Sequence, residues 1–176
     1  MKLKVINKQN NCPDCFVCGI KNPFGLNTRF YELENNILVG ICEGKFEHNS
    51  YPGRMHGGIV SALLDETIGR AMQIKDKEQF GVTVELNIRY LKPTPLNEKL
   101  YVFGKIITEN RFTFTGIGYL VSESGVICAR GSAKYFKLSN EQITQEPYEW
   151  FKVENEIDPL EIEILDEVFE KLEKGE

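Results

Sequence analysis

The chain has 176 residues, 41% of them hydrophobic and 27% charged, with a formal net charge of −5. That length suits one domain with a sizeable core, and the acidic balance, without any basic run, excludes a module that neutralises the phosphates of a duplex. The first residues hold no apolar secretory segment and no run of about 18 apolar residues follows, so neither a signal peptide nor a membrane span is expected, and a cytosolic location is.

In chain order, residues 1–26 read as a cysteine-containing loop, 26–138 as the domain proper and 139–176 as an extension. Five cysteines, an odd number, fit a reducing compartment. Cys12, Cys15 and Cys18 share the C-x-x-C spacing of zinc knuckles and redox dithiols. A structural zinc takes four ligands and no second pair follows, so Cys42, His48 or His56 could complete a site only through the fold. The reading adopted is a reduced structural loop, with no metal or cofactor expected.

After the turn cluster Asn22-Pro23-Phe24-Gly25, residues 26–33 and 37–46 read as two strands of a hairpin across Glu34-Asn35-Asn36. A turn-rich lead ending in His56-Gly57-Gly58 then runs into a helix expected to end near Ile74. Its Ile59, Val60, Ala62, Leu63, Leu64, Ile68, Ala71 and Met72 are apolar on most sides, the pattern of a buried helix. Ser61, Asp65 and Gly69 break that pattern on one strip at i, i+4 spacing. A carboxylate carried inward among small neighbours is costly without a partner. It points to a cleft that admits a ligand or to a buried hydrogen bond or ion pair. Glu66 is placed to pair with Arg70.

Four further strands are expected at 80–91, 100–108, 112–122 and 126–138, with breaks at Pro93 and Pro95, Glu109-Asn110 and Ser124-Gly125. In the first of them Val82, Val84, Leu86, Ile88 and Tyr90 alternate with Thr83, Glu85, Asn87 and Arg89, so one face packs on the helix and the other is polar. Two strands, one long helix and four strands make an antiparallel α+β domain. One sheet leaves its single helix partly open, which predicts a dimer or a higher homo-oligomer. In the extension, Asp158-Pro159 reads as a helix start. Leu165, Val168, Phe169 and Leu172 then form the apolar stripe of an acidic amphipathic helix about four turns long.

His56-Gly57-Gly58 with Asp65 nine residues after the histidine resembles the hotdog-fold acyl-CoA thioesterases, in the branch of the phenylacetate-pathway and mammalian mitochondrial long-chain enzymes. Cys15-Phe16-Val17-Cys18-Gly19, Tyr51-Pro52-Gly53, Leu64-Asp65-Glu66 and the strand running from Val84 to Lys92-Pro93 stand in the same order as in that family. The resemblance implies a hotdog fold, in which a sheet of five or six antiparallel strands wraps around one long buried helix. It also implies a dimer with its two active sites at the subunit interface and an acyl-CoA substrate; homodimer and homotetramer both stay open, and composition leaves neither nucleic acid nor membrane as an expected partner.

Thioester hydrolysis needs an activated water or nucleophile and donors for the developing oxyanion. The helix start offers the N–H groups of Gly57 and Gly58, and glycine permits close approach. By resemblance, one of these polarises the carbonyl, assisted by Asn49, with Ser50 as second candidate. Asp65 acts as general base or as nucleophile, and Thr83, on the polar face, orients the water. Asp65 lies roughly 10 to 13 Å along the axis from the helix start, farther than one carbonyl bridges, so the acid of one subunit is expected to work with the glycines of the other. His56 reads as a structural hydrogen bonder ahead of a proton-transfer group. Arg89, Lys92, Arg130, Gly131 and Ser132 correspond to family positions near coenzyme A. The alternative is an acyl-CoA-binding regulator or scaffold that does not cut its ligand. Dehydration is a third reading, disfavoured because hotdog dehydratases carry their Asp ahead of the His.

Overall fold

A computed structural model describes residues 1–143 and 158–176. Its strands are β1 (Lys2–Lys8), β2 (Arg29–Leu33), β3 (Ile37–Glu43), β4 (Gln79–Tyr90), β5 (Lys99–Glu109), β6 (Thr113–Ser122), β7 (Ile127–Ser139) and β8 (Glu161–Glu163). The helices are α1 (Gly57–Arg70), continued by a 3₁₀ turn over Ala71–Ile74, then α2 (Asn140–Ile143) and α3 (Asp166–Lys174). One eight-stranded sheet has the order β4-β7-β6-β5-β3-β2-β1-β8. It holds the five or six strands expected of a hotdog, plus β1 and β8 at one edge.

Local chemistry accounts for the elements. The β2–β3 turn places Asn35 and Asn36 at φ 62° and 55°, a left-handed region asparagine tolerates better than most residues. Helix α1 buries Val60, Leu63, Leu64 and Ile68 against the sheet. Glycines under it allow the approach: a Cβ on Gly104 would lie 2.9 Å from the carbonyl oxygen of Thr67, and one on Gly116 2.6 Å from Ile68. Glu66 and Arg70 form the expected pair, 2.8 Å apart. No helix among the described residues is long and apolar enough to cross a membrane.

Three expectations change. The alternation read for residues 82–90 is broken by a bulge between Thr83 and Glu85. An inserted residue reverses which side chains face which way, so Thr83 turns to the helix side with Leu86, Ile88 and Tyr90, while Val82 and Val84 are exposed. The amino-terminal segment opens with a strand, β1, whose short alternation gains meaning only from its partners Leu33 and Ile162. Finally, the carboxy-terminal helix starts at Asp166, eight residues after Asp158 and shorter than four turns. Residues Glu161–Glu163 pair with β1 instead. The remainder of the extension, 144–157, lies outside the described residues.

Helix α3 lies on the sheet face opposite α1. Val168 and Leu172 join Tyr31, Val39, Phe103, Ile117 and Tyr119 in a second apolar cluster. Leu172 is fully buried, and Leu172→Ala should destabilise the chain by about 2–5 kcal/mol. Urea unfolding at unchanged m checks this, with exposed Lys174→Ala as the neutral control. Equal midpoints for the two variants would mean that α3 is not docked.

Candidate active site

The start of α1 is built by its loop. Asn49 bridges to Met55 and Arg54 to Pro95, while the N–H of His56 donates to the carbonyl of His48 at 2.9 Å. His56 is extended at φ −63°, ψ 135°, and caps the helix, its Nδ1 accepting the N–H of Gly58 at 2.9 Å. The two glycine N–H groups, both offered as donors by the sequence, are therefore not in the same state. The Gly58 N–H is already engaged, whereas the Gly57 N–H has no hydrogen-bond partner among the described residues. Asn49 lies in the loop that leads into α1, its Oδ1 buried and without a hydrogen-bond partner among the described residues.

Further along α1, Asp65 is half-buried. Thr83 Oγ1 donates to Asp65 Oδ1 at 2.8 Å. The Tyr135 hydroxyl reaches the same oxygen at 3.1 Å and the Asp65 carbonyl at 2.8 Å. Burial, and then the Asp65 carboxylate, push the Tyr135 phenol above the ordinary tyrosine range, so it stays a proton donor to Asp65. Oδ2 has no such partner among the described residues.

The strip of small residues has an unexpected use. A Cβ at Gly69 would meet the Tyr135 ring at 3.1 Å. Ser61 Oγ lies 2.7 Å from the Tyr90 hydroxyl, which donates to the Gly57 carbonyl at 2.8 Å. Two phenols therefore occupy much of the room that the sequence assigned to a ligand. Tyr90 and Tyr135 were missed as site residues because an aromatic on the helix-facing side of a strand reads as core. Only the small residues opposite them on α1 could have signalled otherwise.

The coenzyme A candidates divide. Arg89 pairs in register with Arg130, Asn87 with Ser132, and Ile88 with Gly131. Cross-strand partners share a face, and Arg130 also pairs with Tyr119, whose ring belongs to the cluster under α3. Arg89, Arg130 and Ser132 thus lie on the sheet face away from Asp65, in a depression of about 490 Å³ that also includes Gly175 and Glu176. Gly131 faces the helix, where a Cβ would lie 2.8 Å from Ile88. Lys92 is exposed just beyond β4, whose far edge carries no partner strand among the described residues.

Residues 52–129 match the family model described as thioesterase superfamily. Human acyl-coenzyme A thioesterase 13 is 29% identical over 94 residues, covering 52% of this chain and 67% of that protein. The crystal structure of protein RHA08564, a thioesterase superfamily protein, superposes with a TM-score of 0.64 at 27% identity, over 69% of this chain and 59% of that one. A Bacillus halodurans protein solved with CoA has a TM-score of 0.52 at 27% identity, over 56% of this chain and 70% of that chain. The chain spans less than two thirds of the RHA08564 protein, and the residues 52–129 that match the family model contain α1, β4, β5 and β6.

Proposed function

We propose that this chain, whose residues 52–129 match the thioesterase superfamily, hydrolyses an acyl-CoA thioester to a free carboxylic acid and CoA. The observation that carries the reading is Asp65, a carboxylate oriented through one oxygen by Thr83 and Tyr135 while its other oxygen has no partner among the described residues. Held in this way, Asp65 takes a proton from a water that attacks the thioester carbon, or attacks that carbon itself to give an anhydride that water then opens. In either route a C–O bond forms, the C–S bond breaks, and the proton taken from water ends on the departing thiolate. The Gly57 N–H, at the positive end of α1, stabilises the carbonyl oxygen as it gains charge. Asn49 lines the same approach.

The active assembly proposed is a homodimer. Along α1, Gly57 and Asp65 are about 12 Å apart at 1.5 Å per residue, so one thioester meets both only if they come from different subunits. The β4 edge, unpartnered among the described residues, exposes Val82, Val84 and Tyr90, with Leu91 just beyond it, and a long apolar edge calls for a cover. On the other face, α3 covers part of the sheet back, which favours the dimer over a tetramer stacked on that face. The CoA held by the Bacillus halodurans relative supports the substrate class. Arg89, Lys92, Arg130 and Ser132 are the residues proposed to meet its nucleotide, reached around the β4 edge. A cytosolic location fits five cysteines that form no disulfide among the described residues.

The test follows free thiol release from short, long-chain and aromatic acyl-CoAs, alongside calorimetric binding of the same compounds. Turnover of at least one class is expected. Binding throughout without turnover would make the protein an acyl-CoA-binding regulator instead.

A further inference from the structure

The loop joining β1 to β2 brings three sulfurs to one point. The Sγ atoms of Cys12, Cys15 and Cys18 all lie within 4.8 Å of one another, and those of Cys12 and Cys18 are 3.4 Å apart. The backbone is wound around them. The N–H of Val17 donates to Cys15 Sγ at 3.3 Å, and the N–H groups of Gly19 and Ile20 donate to the carbonyls of Cys15 and Cys12. The turn closes only with glycine, because a Cβ at Gly19 would lie 2.2 Å from the Cys15 oxygen. From α1, the buried guanidinium of Arg70 donates to Cys18 Sγ at 3.2 Å.

Cysteines often pack as small apolar residues, but such packing needs neither convergence nor polar donors aimed at sulfur. A backbone N–H on one sulfur and a guanidinium on another suit thiolates. We propose that Cys12, Cys15 and Cys18 bind one zinc ion. A tetrahedral zinc with Zn–S distances near 2.3 Å sets its sulfurs about 3.8 Å apart, between the 3.4 Å of the one pair and the 4.8 Å limit on all three. The C-x-x-C-x-x-C spacing also occurs in iron–sulfur proteins, yet sulfurs gathered this closely leave room for one ion and not for a cluster.

No fourth His, Cys, Asp or Glu joins the group among the described residues. Cys42 belongs to β3, the His48 ring is engaged by the Lys45 N–H and the Phe24 carbonyl, and His56 caps α1. Water or a small anion therefore takes the fourth corner. The ion holds the loop together through three protein ligands, one fewer than a closed structural zinc site has. Through Arg70, which also donates to the Asn10 carbonyl and to Glu66, it ties the loop to the carboxy-terminal end of α1. It stands apart from the thioester reading and does not depend on it.

The full chain, purified in a non-chelating reductant and reconstituted with zinc sulfate, is analysed for metal by mass spectrometry after gel filtration. One zinc per chain is expected. Cobalt substitution should give an intense thiolate-to-cobalt charge-transfer band, and chelation should lower the melting temperature. Cys15→Ser should weaken zinc binding by more than about tenfold, while Cys128→Ser, in β7, should keep the full equivalent. Where Cys15→Ser fails to fold, the cobalt spectrum of the wild type decides. Substoichiometric zinc after reconstitution, cobalt bound without the thiolate band, an iron chromophore, or the same zinc content in Cys15→Ser as in wild type would each overturn the proposal.

Discussion

Asp65→Asn is expected to lower acyl-CoA turnover by about 10³-fold while leaving acyl-CoA affinity within a few-fold. Asparagine keeps the shape of the carboxylate, and its Oδ1 can still accept from Thr83 and Tyr135 as Asp65 does. What it loses is basicity and nucleophilicity at the position of Oδ2. The fold should survive, since the exchange leaves no buried donor without an acceptor. Paired kcat and Kd measurements, with a melting curve as control, make the comparison. A folded variant with kcat within threefold of wild type would remove Asp65 from the chemistry and leave the cleft as a binding site.

Gly57→Pro should cost about 10²- to 10³-fold in kcat, the usual effect of removing one oxyanion donor. Proline at the first helical position is tolerated because the N–H it lacks is unpaired within the helix. The preceding residue must be extended, as His56 already is at ψ 135°. A Cβ at Gly57 would meet Tyr90 only at 3.4 Å, an ordinary contact. The substitution therefore removes a donor while α1 stays capped by His56. Combining it with Asp65→Asn tests the geometry of the assembly. When the two inactive chains are co-expressed, half of the dimers are mixed. If Asp65 and Gly57 serve one site from opposite subunits, each mixed dimer holds one intact site, and about a quarter of wild-type activity returns. If both act within one chain, every site carries a defect and nothing returns.

How far the site was legible depended on whether its residues speak to near or distant neighbours. Asp65 stood out because a carboxylate interrupts an apolar helix, and Glu66 with Arg70 because i, i+4 spacing is local. Thr83 was identified by resemblance but placed on the wrong face, since the bulge beside it is one extra residue that nothing in the alternation announces. Gly58 looked equivalent to Gly57 until the ring of His56 was seen to take its N–H. Tyr90 and Tyr135 went unnoticed because their hydroxyls find partners on another element.

The sequence by itself determined the class of fold, the buried central helix, the acid upon it and the order of the main strands. Each of these rests on periodicity, glycine and proline punctuation or short spacing, which act over a few residues. Only the tertiary structure decided which face Arg89 and Arg130 occupy, that the carboxy-terminal segment returns to pair with β1 and cover the sheet back, and that three cysteines of one loop meet at a point beside Arg70. Those outcomes follow from register, from burial against distant partners and from loop closure, where contacts between residues far apart in the chain outweigh local preference.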